Sequence, residues 1–283
     1  MPELVSIIIP TYNRPDTLKR AISSALNQQY ENVEILVIND GGMIGNLENE
    51  FNDARIGFYH LEINGGVSAA RNHGIENASG NFLLFLDDDD ELASDFLENA
   101  LNRISENSDI LIAHAELNGN MVDSHFRKIK KLNDELFHQY HYKSTDSWFY
   151  FLYYMPAFHS ILFRTGLFEQ VKFNETIQYS EDRLLMLEFR NQNVTMQPVD
   201  LIAGTYHYHQ KVINPSKIHE FTTLARSTVT DRKSIAYTRL LDAFYWYQES
   251  KYLRFLHSII HSLKSPHVVV KQFVLFLRLI KLR

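Results

Sequence analysis

Four consecutive carboxylates, Asp87, Asp88, Asp89 and Asp90, follow an apolar run that ends at Leu86. Like charges this close repel by ~1 kcal/mol or more even in high dielectric, and more where a strand end is partly buried. A hard divalent cation relieves that repulsion, and Mg²⁺ or Mn²⁺ commonly binds through one or two carboxylates plus substrate phosphates. The alternative is a bare acidic patch. Thr11, Tyr12 and Asn13 end the first apolar run and Asp40 ends the second; taken alone, Asp40 reads as a loop carboxylate. Glu181 and Asp182 follow Ser180 at the head of a helix pattern, where they cap it and complement its dipole. In that position the ionised carboxylate is favoured. His207 and His209 alternate in a tyrosine-rich strand pattern and share a face.

The elements that must position these residues are legible in the first 115 positions. Residues 5–9 form a β-branched apolar run, read as a buried strand. Pro15 opens a helix with Leu18, Ala21, Ile22, Ala25 and Leu26 on one face. A strand at 33–38, a short helix near Leu47 and a strand at 56–60 follow. After Gly65 and Gly66 comes a helix with Val67, Ala70, Gly74, Ile75 and Ala78 facing inward, then a strand at 82–86. Ser94 is expected to cap the next helix, with Phe96, Leu97, Ala100, Leu101 and Ile104 inward, before a strand at 110–113. This alternation means βαβ units and a mainly parallel sheet. In such a sheet ligands bind at the carboxyl ends of strands, where Thr11, Asp40 and Asp87 all lie. Beyond residue 115 the pattern predicts a helix over 181–190, strand alternation over 199–209, and mostly helices after Pro215. No Walker loop or G-x-G-x-x-G follows the first strand, so the usual phosphate cradle of ATPases and dinucleotide enzymes is missing.

Four segments in order resemble the successive motifs of the large GT-A-fold family of inverting glycosyltransferases: 5–13 (VSIIIPTYN), 37–41 (VINDG), 64–74 (NGGVSAARNHG) and 85–92 (FLDDDDEL). The resemblance continues weakly through 173–175 and 180–182 and fades after about Ser216. It implies an α/β, Rossmann-like GT-A fold: a nucleotide-sugar-binding half over 1–115, an acceptor and catalytic half over 116–215, and a helical C-terminal region over 216–283. Thr11, Tyr12 and Asn13 would line the nucleobase and ribose pocket, and Asp40 would accept a pyrimidine imide N–H, favouring UDP. Arg71 would sit near the base or diphosphate; read on its own it is a surface helix arginine. Asp87 and Asp89 match the family's Asp-x-Asp motif, Asp89 as metal ligand and Asp87 toward ribose or metal, with Asp88 between them counted among the nucleotide-binding positions. Asn39 stands where the family more often has an acid, and Gly42 where it has Ser; both changes look tolerable. Asp182 matches the catalytic base, and His209 is the late basic residue that would touch metal or diphosphate, with Lys211 beside it. The cofactor implied is Mg²⁺ or Mn²⁺. The donor is a nucleoside diphosphate sugar, and the acceptor a glycan or a lipid-linked chain in surface-polysaccharide synthesis. The rival is a nucleotide-sugar-binding protein that does not turn over.

Composition bounds the remainder. The chain of 283 residues has no cysteine, which excludes disulfides, Cys-ligated zinc, iron–sulfur clusters and thiol catalysis. A net charge of −6 argues against nucleic acid. Residues 250–283 carry seven Lys/Arg and no Asp/Glu, leaving 1–249 at −13. Lys264, Lys271 and Arg278 recur every seven residues within an apolar tail, predicting a basic amphipathic helix that lies on an anionic membrane, or packs on the protein. The amino terminus has no signal-peptide pattern and no run is long enough to span a bilayer, so the expected location is cytoplasmic, peripheral on the inner face of the cell membrane.

Overall fold

The first strand explains the layering. β1 (Val5–Thr11) is buried along its whole length, and because successive side chains point to opposite faces, a strand buried throughout needs cover on both. Ile7 and Ile9 pack against Leu18 and Ile22 of α1 (Pro15–Leu26). Ile8 packs on the other side with Ala70 and Ile75 of α3 (Val67–Asn77). A Cβ on Gly74 would lie 2.4 Å from Ile8 Cγ2, so glycine is what lets α3 settle this close to the sheet.

The computed structural model describes residues 2–119, 157–208 and 215–229, with isolated helical positions outside them. The other strands are β2 (Val33–Asn39), β3 (Ile56–His60), β4 (Phe82–Phe85), β5 (Glu91–Leu92), β6 (Ile110–Asn118), β7 (Ile161–Arg164) and β8 (Met196–His207). Short α2 (Leu47–Glu50) precedes β3, α4 (Phe96–Leu101) precedes β6, α5 (Glu181–Asn191) precedes β8, and α6 (Pro215–Thr228) follows it. One sheet runs β3-β2-β1-β4-β7-β6-β8-β5. Parallel pairings join β3, β2, β1 and β4, and again β6 and β8; every reversal involves β7 or β5. The shared direction of β1, β2 and β4 brings Thr11, Asp40 and Asp87 to one edge.

The α/β reading with a mainly parallel sheet holds, and the elements fall close to their expected bounds. Ser94 is a correction. Asp95, not Ser94, occupies the position before α4, and no side chain there caps it. Gln28 reaches across from the end of α1 instead, its Oε1 accepting Leu97 N–H at 3.2 Å, while the Ser94 carbonyl accepts Gln29 N–H. A tertiary contact supplies what the local pattern had assigned to the preceding serine. α6 matches the helical expectation after Pro215 and packs Phe221 and Ala225 on Leu184 and Leu187 of α5. His209, Lys211 and the basic tail 264–283 lie outside the described residues. Among the described residues no helix is long and apolar enough to cross a membrane.

Candidate active site

The strand-end loops close on one another through short polar links. Asn13 takes a left-handed backbone (φ 56°) and its Oδ1 accepts Met43 N–H at 2.7 Å. The Asn39 amide clips the turn below, donating to the Gly42 carbonyl at 2.7 Å and accepting Gly42 N–H at 2.9 Å. An aspartate at 39 could only accept, so the amide is what closes the turn from both sides. A Cβ on Gly42 would lie 2.7 Å from Asn13 N and 2.9 Å from Tyr12 Cδ2; a serine here would push the two loops apart. Asp40 is buried, and its two oxygens accept the N–H groups of Gly65 and Gly66 at 2.8 Å each. Tyr12 is 46% exposed and lines, with Thr11, Asp40 and Asp88, a cavity of ≈ 240 Å³. The polar floor and aromatic wall could take a planar heterocycle.

The four aspartates divide by direction. Asp88 is buried and accepts Thr11 Oγ1–H at 2.7 Å and Arg14 Nη1–H at 3.0 Å. Burial pushes its pKa up, against the pull of Thr11 and Arg14. Asp90 is buried too; it accepts His207 N–H at 2.9 Å and lies 3.2 Å from His159 Nδ1. Burial raises its pKa as well, with His159 opposing. Asp87 and Asp89 keep solvent access, at 35% and 16% of their side-chain surface. Asp89 faces Arg14 Nη1 at 2.9 Å, and its carbonyl accepts Arg20 Nη2–H at 3.2 Å. The repulsion expected of this run is therefore met within the described residues by arginine and histidine. Tyr206 stands over the cluster, and burial together with Asp90, Asp87 and Asp89 drives its hydroxyl pKa upward.

Arg71 is the hub. It is 3% exposed, correcting its reading as a surface arginine. Its Nη2 donates to Asp87 Oδ1 at 2.7 Å and its Nη1 to Glu181 Oε1 at 2.8 Å. The guanidinium carbon lies 5.0 Å from the Phe158 ring centroid and 5.3 Å from that of Phe173. Burial works against the charge, but Asp87, Glu181 and Asp182 outweigh it and raise the pKa above the ordinary arginine value. Beside it, Asn72 donates to the Phe173 carbonyl and Glu175 Oε1 and accepts Phe173 N–H. α3 thus holds both the acidic turn and the chain leading to α5.

Asp182 sits in the first turn of α5, its Oδ1 accepting Arg183 N–H at 2.7 Å. Ser180 before it is left-handed (φ 57°) and makes no side-chain cap. Burial, then the Glu181 charge, push the Asp182 pKa up to about 6, against Arg183, Arg71 and the backbone N–H. This reverses the expectation that the helix terminus would favour the ionised form, because desolvation and a like charge exceed the dipole.

Among the described residues no three carboxylate or imidazole groups converge as a preformed metal cage. Asp87 and Asp89 supply two hard oxygen donors with solvent access, which fits an ion that completes its shell with phosphate oxygens and water. Two described histidines border the cluster: His159 at Asp90, and His207, whose Nε2 lies 2.8 Å from Glu91 Oε1. Arg14, Arg20, Asn72 and His159 went unassigned in the sequence. Two arginines flanking the start of a helix opposite an acidic strand end were a usable signal; nothing local marks His159.

A glycosyltransferase of uncharacterised specificity from Haemophilus influenzae is 39% identical over 127 residues, 42% of this chain and 51% of that protein. A Campylobacter jejuni protein, GalNAc(5)-diNAcBac-PP-undecaprenol beta-1,3-glucosyltransferase, is 37% identical over 113 residues, 38% of this chain and 36% of its own length. The chain thus spans about half or less of these curated relatives. The fold is similar to that of S. aureus TarS 1-349 in complex with UDP, with TM-score 0.60 at 22% identity over 83% of this chain and 65% of that one. The model of glycosyl transferase family 2 matches residues 6–171, more than half of the sequence, and the chain belongs to that family.

Proposed function

We propose that this chain is an inverting, metal-dependent glycosyltransferase that moves a sugar from a UDP-sugar to an acceptor hydroxyl. The observation that carries the reading is Arg71. One buried guanidinium joins Asp87 on the donor side to Glu181, the residue next to Asp182, so a donor site and a proton acceptor are built on one rigid hub.

Thr11, Tyr12, Asn13 and Asp40 would hold the nucleobase and ribose, with Tyr12 as a stacking face. Asp40 has its oxygens committed to Gly65 and Gly66, and a carboxylate oxygen retains a second lone pair for an imide N–H. Asp88 would act from beneath by fixing Thr11. Asp89 and Asp87 would hold Mg²⁺ or Mn²⁺, with His209 as a further contact; when bound, the ion neutralises charge on the departing diphosphate. Asp182 accepts the proton of the acceptor hydroxyl, whose oxygen bonds to the anomeric carbon from the face opposite the diphosphate. The bond from that carbon to phosphate oxygen breaks, the nucleoside diphosphate leaves, and the anomeric configuration inverts. A pKa near 6 suits this role: the group is mostly ionised at pH 7, yet more basic than an ordinary aspartate.

The undecaprenol-linked substrate in the Campylobacter relative's name and the basic tail support a lipid-linked acceptor in surface-polysaccharide synthesis at the cytoplasmic membrane face. Co-sedimentation of the full chain with anionic vesicles at low salt, and its absence after deletion of 264–283, tests the tail. The central test is calorimetry of UDP with and without Mn²⁺, beside an assay for transferred sugar. UDP should bind only with the metal, Asp89→Ala should abolish this metal-dependent binding, and product should form. Equal UDP affinity in EDTA would overturn the metal reading; binding without any transfer would leave a nucleotide-sugar-binding protein.

A further inference from the structure

In the reading above Asp89 is a metal ligand, yet its carboxylate already faces a cation. Arg14 Nη1 lies 2.9 Å from Asp89 Oδ2 and 3.0 Å from Asp88 Oδ1, so a single nitrogen spans two adjacent aspartates. Arg71 and Arg14 differ in how firmly they are held. Arg71 is 3% exposed, lies against two neighbouring phenylalanine rings and pairs with carboxylates from two segments. Arg14 keeps 53% of its side chain in solvent, and beside it opens a cavity of ≈ 390 Å³ bounded by Asn13, Pro15, Thr17 and Asp89.

We propose that Arg14 is a displaceable counter-cation of the acidic turn: it neutralises Asp88 and Asp89 until a divalent ion takes Asp89, then withdraws from that carboxylate into the adjoining cavity. This rests on the assignment of Asp89 to the metal. Two reasons favour displacement over sharing. A divalent ion and a guanidinium converging on one oxygen repel more strongly than an exposed ion pair attracts. The arginine also has somewhere to go, since the cavity is open and its Asp88 contact, on the buried side, can persist. Two of the four adjoining carboxylates are thereby kept compensated without the metal, at a small cost in metal affinity.

The test uses the full-length protein and Mn²⁺ alone, without nucleotide, followed by calorimetry. Arg14→Gln leaves a shorter polar side chain without the charge, so Mn²⁺ should bind about two- to tenfold more tightly than to wild type. Arg14→Lys retains the charge and should stay within about twofold of wild type. In the unmutated protein, the Arg14 Nε–Hε resonance, assigned by its loss in R14K, should move with added Mg²⁺ and saturate with it. Unchanged or weaker Mn²⁺ binding in a folded R14Q would overturn the proposal, as would an Arg14 resonance indifferent to Mg²⁺. If wild type binds Mn²⁺ with UDP but R14Q gains nothing, this inference alone falls. If no metal binds even with UDP, the metal reading falls with it.

Discussion

The acidic turn after β4 and the first turn of α5 hold the same functional group in opposite circumstances. At the turn, Asp87, Asp88, Asp89 and Asp90 each have a cationic or hydrogen-bonding partner, and the exposed pair faces Arg71 and Arg14. At α5, Glu181 takes the shared arginine directly, and among the described residues Asp182 accepts one backbone N–H, with Arg183 and Arg71 as more distant positive charge. Arg71 and Arg14 offset the charge of the turn's exposed carboxylates at 2.7 and 2.9 Å. Burial, then the Glu181 charge, drive Asp182 to about 6 because the nearby positive charge does not offset them. Residue type does not separate the proposed cation site from the proposed base; burial and the placement of the arginines do.

The largest break in that contrast is Asp182→Asn. The amide keeps size and can still accept Arg183 N–H, but it takes no proton. Turnover should fall by ~10²–10⁴-fold, measured as sugar transferred under saturating donor. UDP affinity should remain, because the nucleotide-side contacts run through Thr11, Asp40 and the acidic turn. Near-normal transfer would move the base elsewhere, with Glu181 the first alternative.

Removing the shared arginine tests the hub. Arg71→Met leaves Asp87 and Glu181 without their common partner beneath two aromatic rings, and breaking a buried pair is costly. Glu181 is the more buried acid, and Asp87 can recover water, so the loss should be about 3 kcal/mol by chemical denaturation. Arg71→Lys should lose less, since it keeps the charge while giving up the two-pronged geometry. A variant as stable as wild type would show the two carboxylates are not joined through this residue.

How much of this was legible follows from where each interaction closes. The ends of β1, β2 and β4 could be read because an uninterrupted apolar run stops where a polar cluster begins, all within a few residues. Asp182 was reached through its place in a motif. Arg71 was not understood from its neighbours: it sits among Ala70, Gly74 and Ile75 on the inward side of α3, and its partners lie 16 and 110 residues away. The Asp182 ionisation was misjudged for the same reason. The helix terminus is local and visible, whereas the burial that outweighs it is assembled from distant chain. Asn39 and Gly42 looked like tolerable replacements in sequence; the structure makes them a matched pair, one clipping the turn and the other making room for it.

The smallest effect sharpens the contrast from the stability side. Asp182 has a folded pKa of about 6 against about 3.9 in the unfolded chain. The folded state binds its proton more tightly, so the contribution is most favourable below about pH 4 and is lost as pH rises through about 6. Above that the ionised carboxylate opposes folding, and its partial solvent access reduces the full linkage value to about 1–2 kcal/mol. Asp182→Asn, the variant that loses turnover, should therefore be more stable than wild type by that amount at pH 7 and nearly equal to it at pH 4. Comparing the two proteins by denaturation at each pH cancels the carboxylates they share. The same titration should appear in wild-type transfer as an acid limb, with kcat/KM falling about tenfold per unit below about pH 6. A stability difference that does not change between pH 4 and pH 7 would mean that Asp182 is no less compensated than the acids after β4. The separation of cation site from base would then have to rest on something other than where the arginines lie.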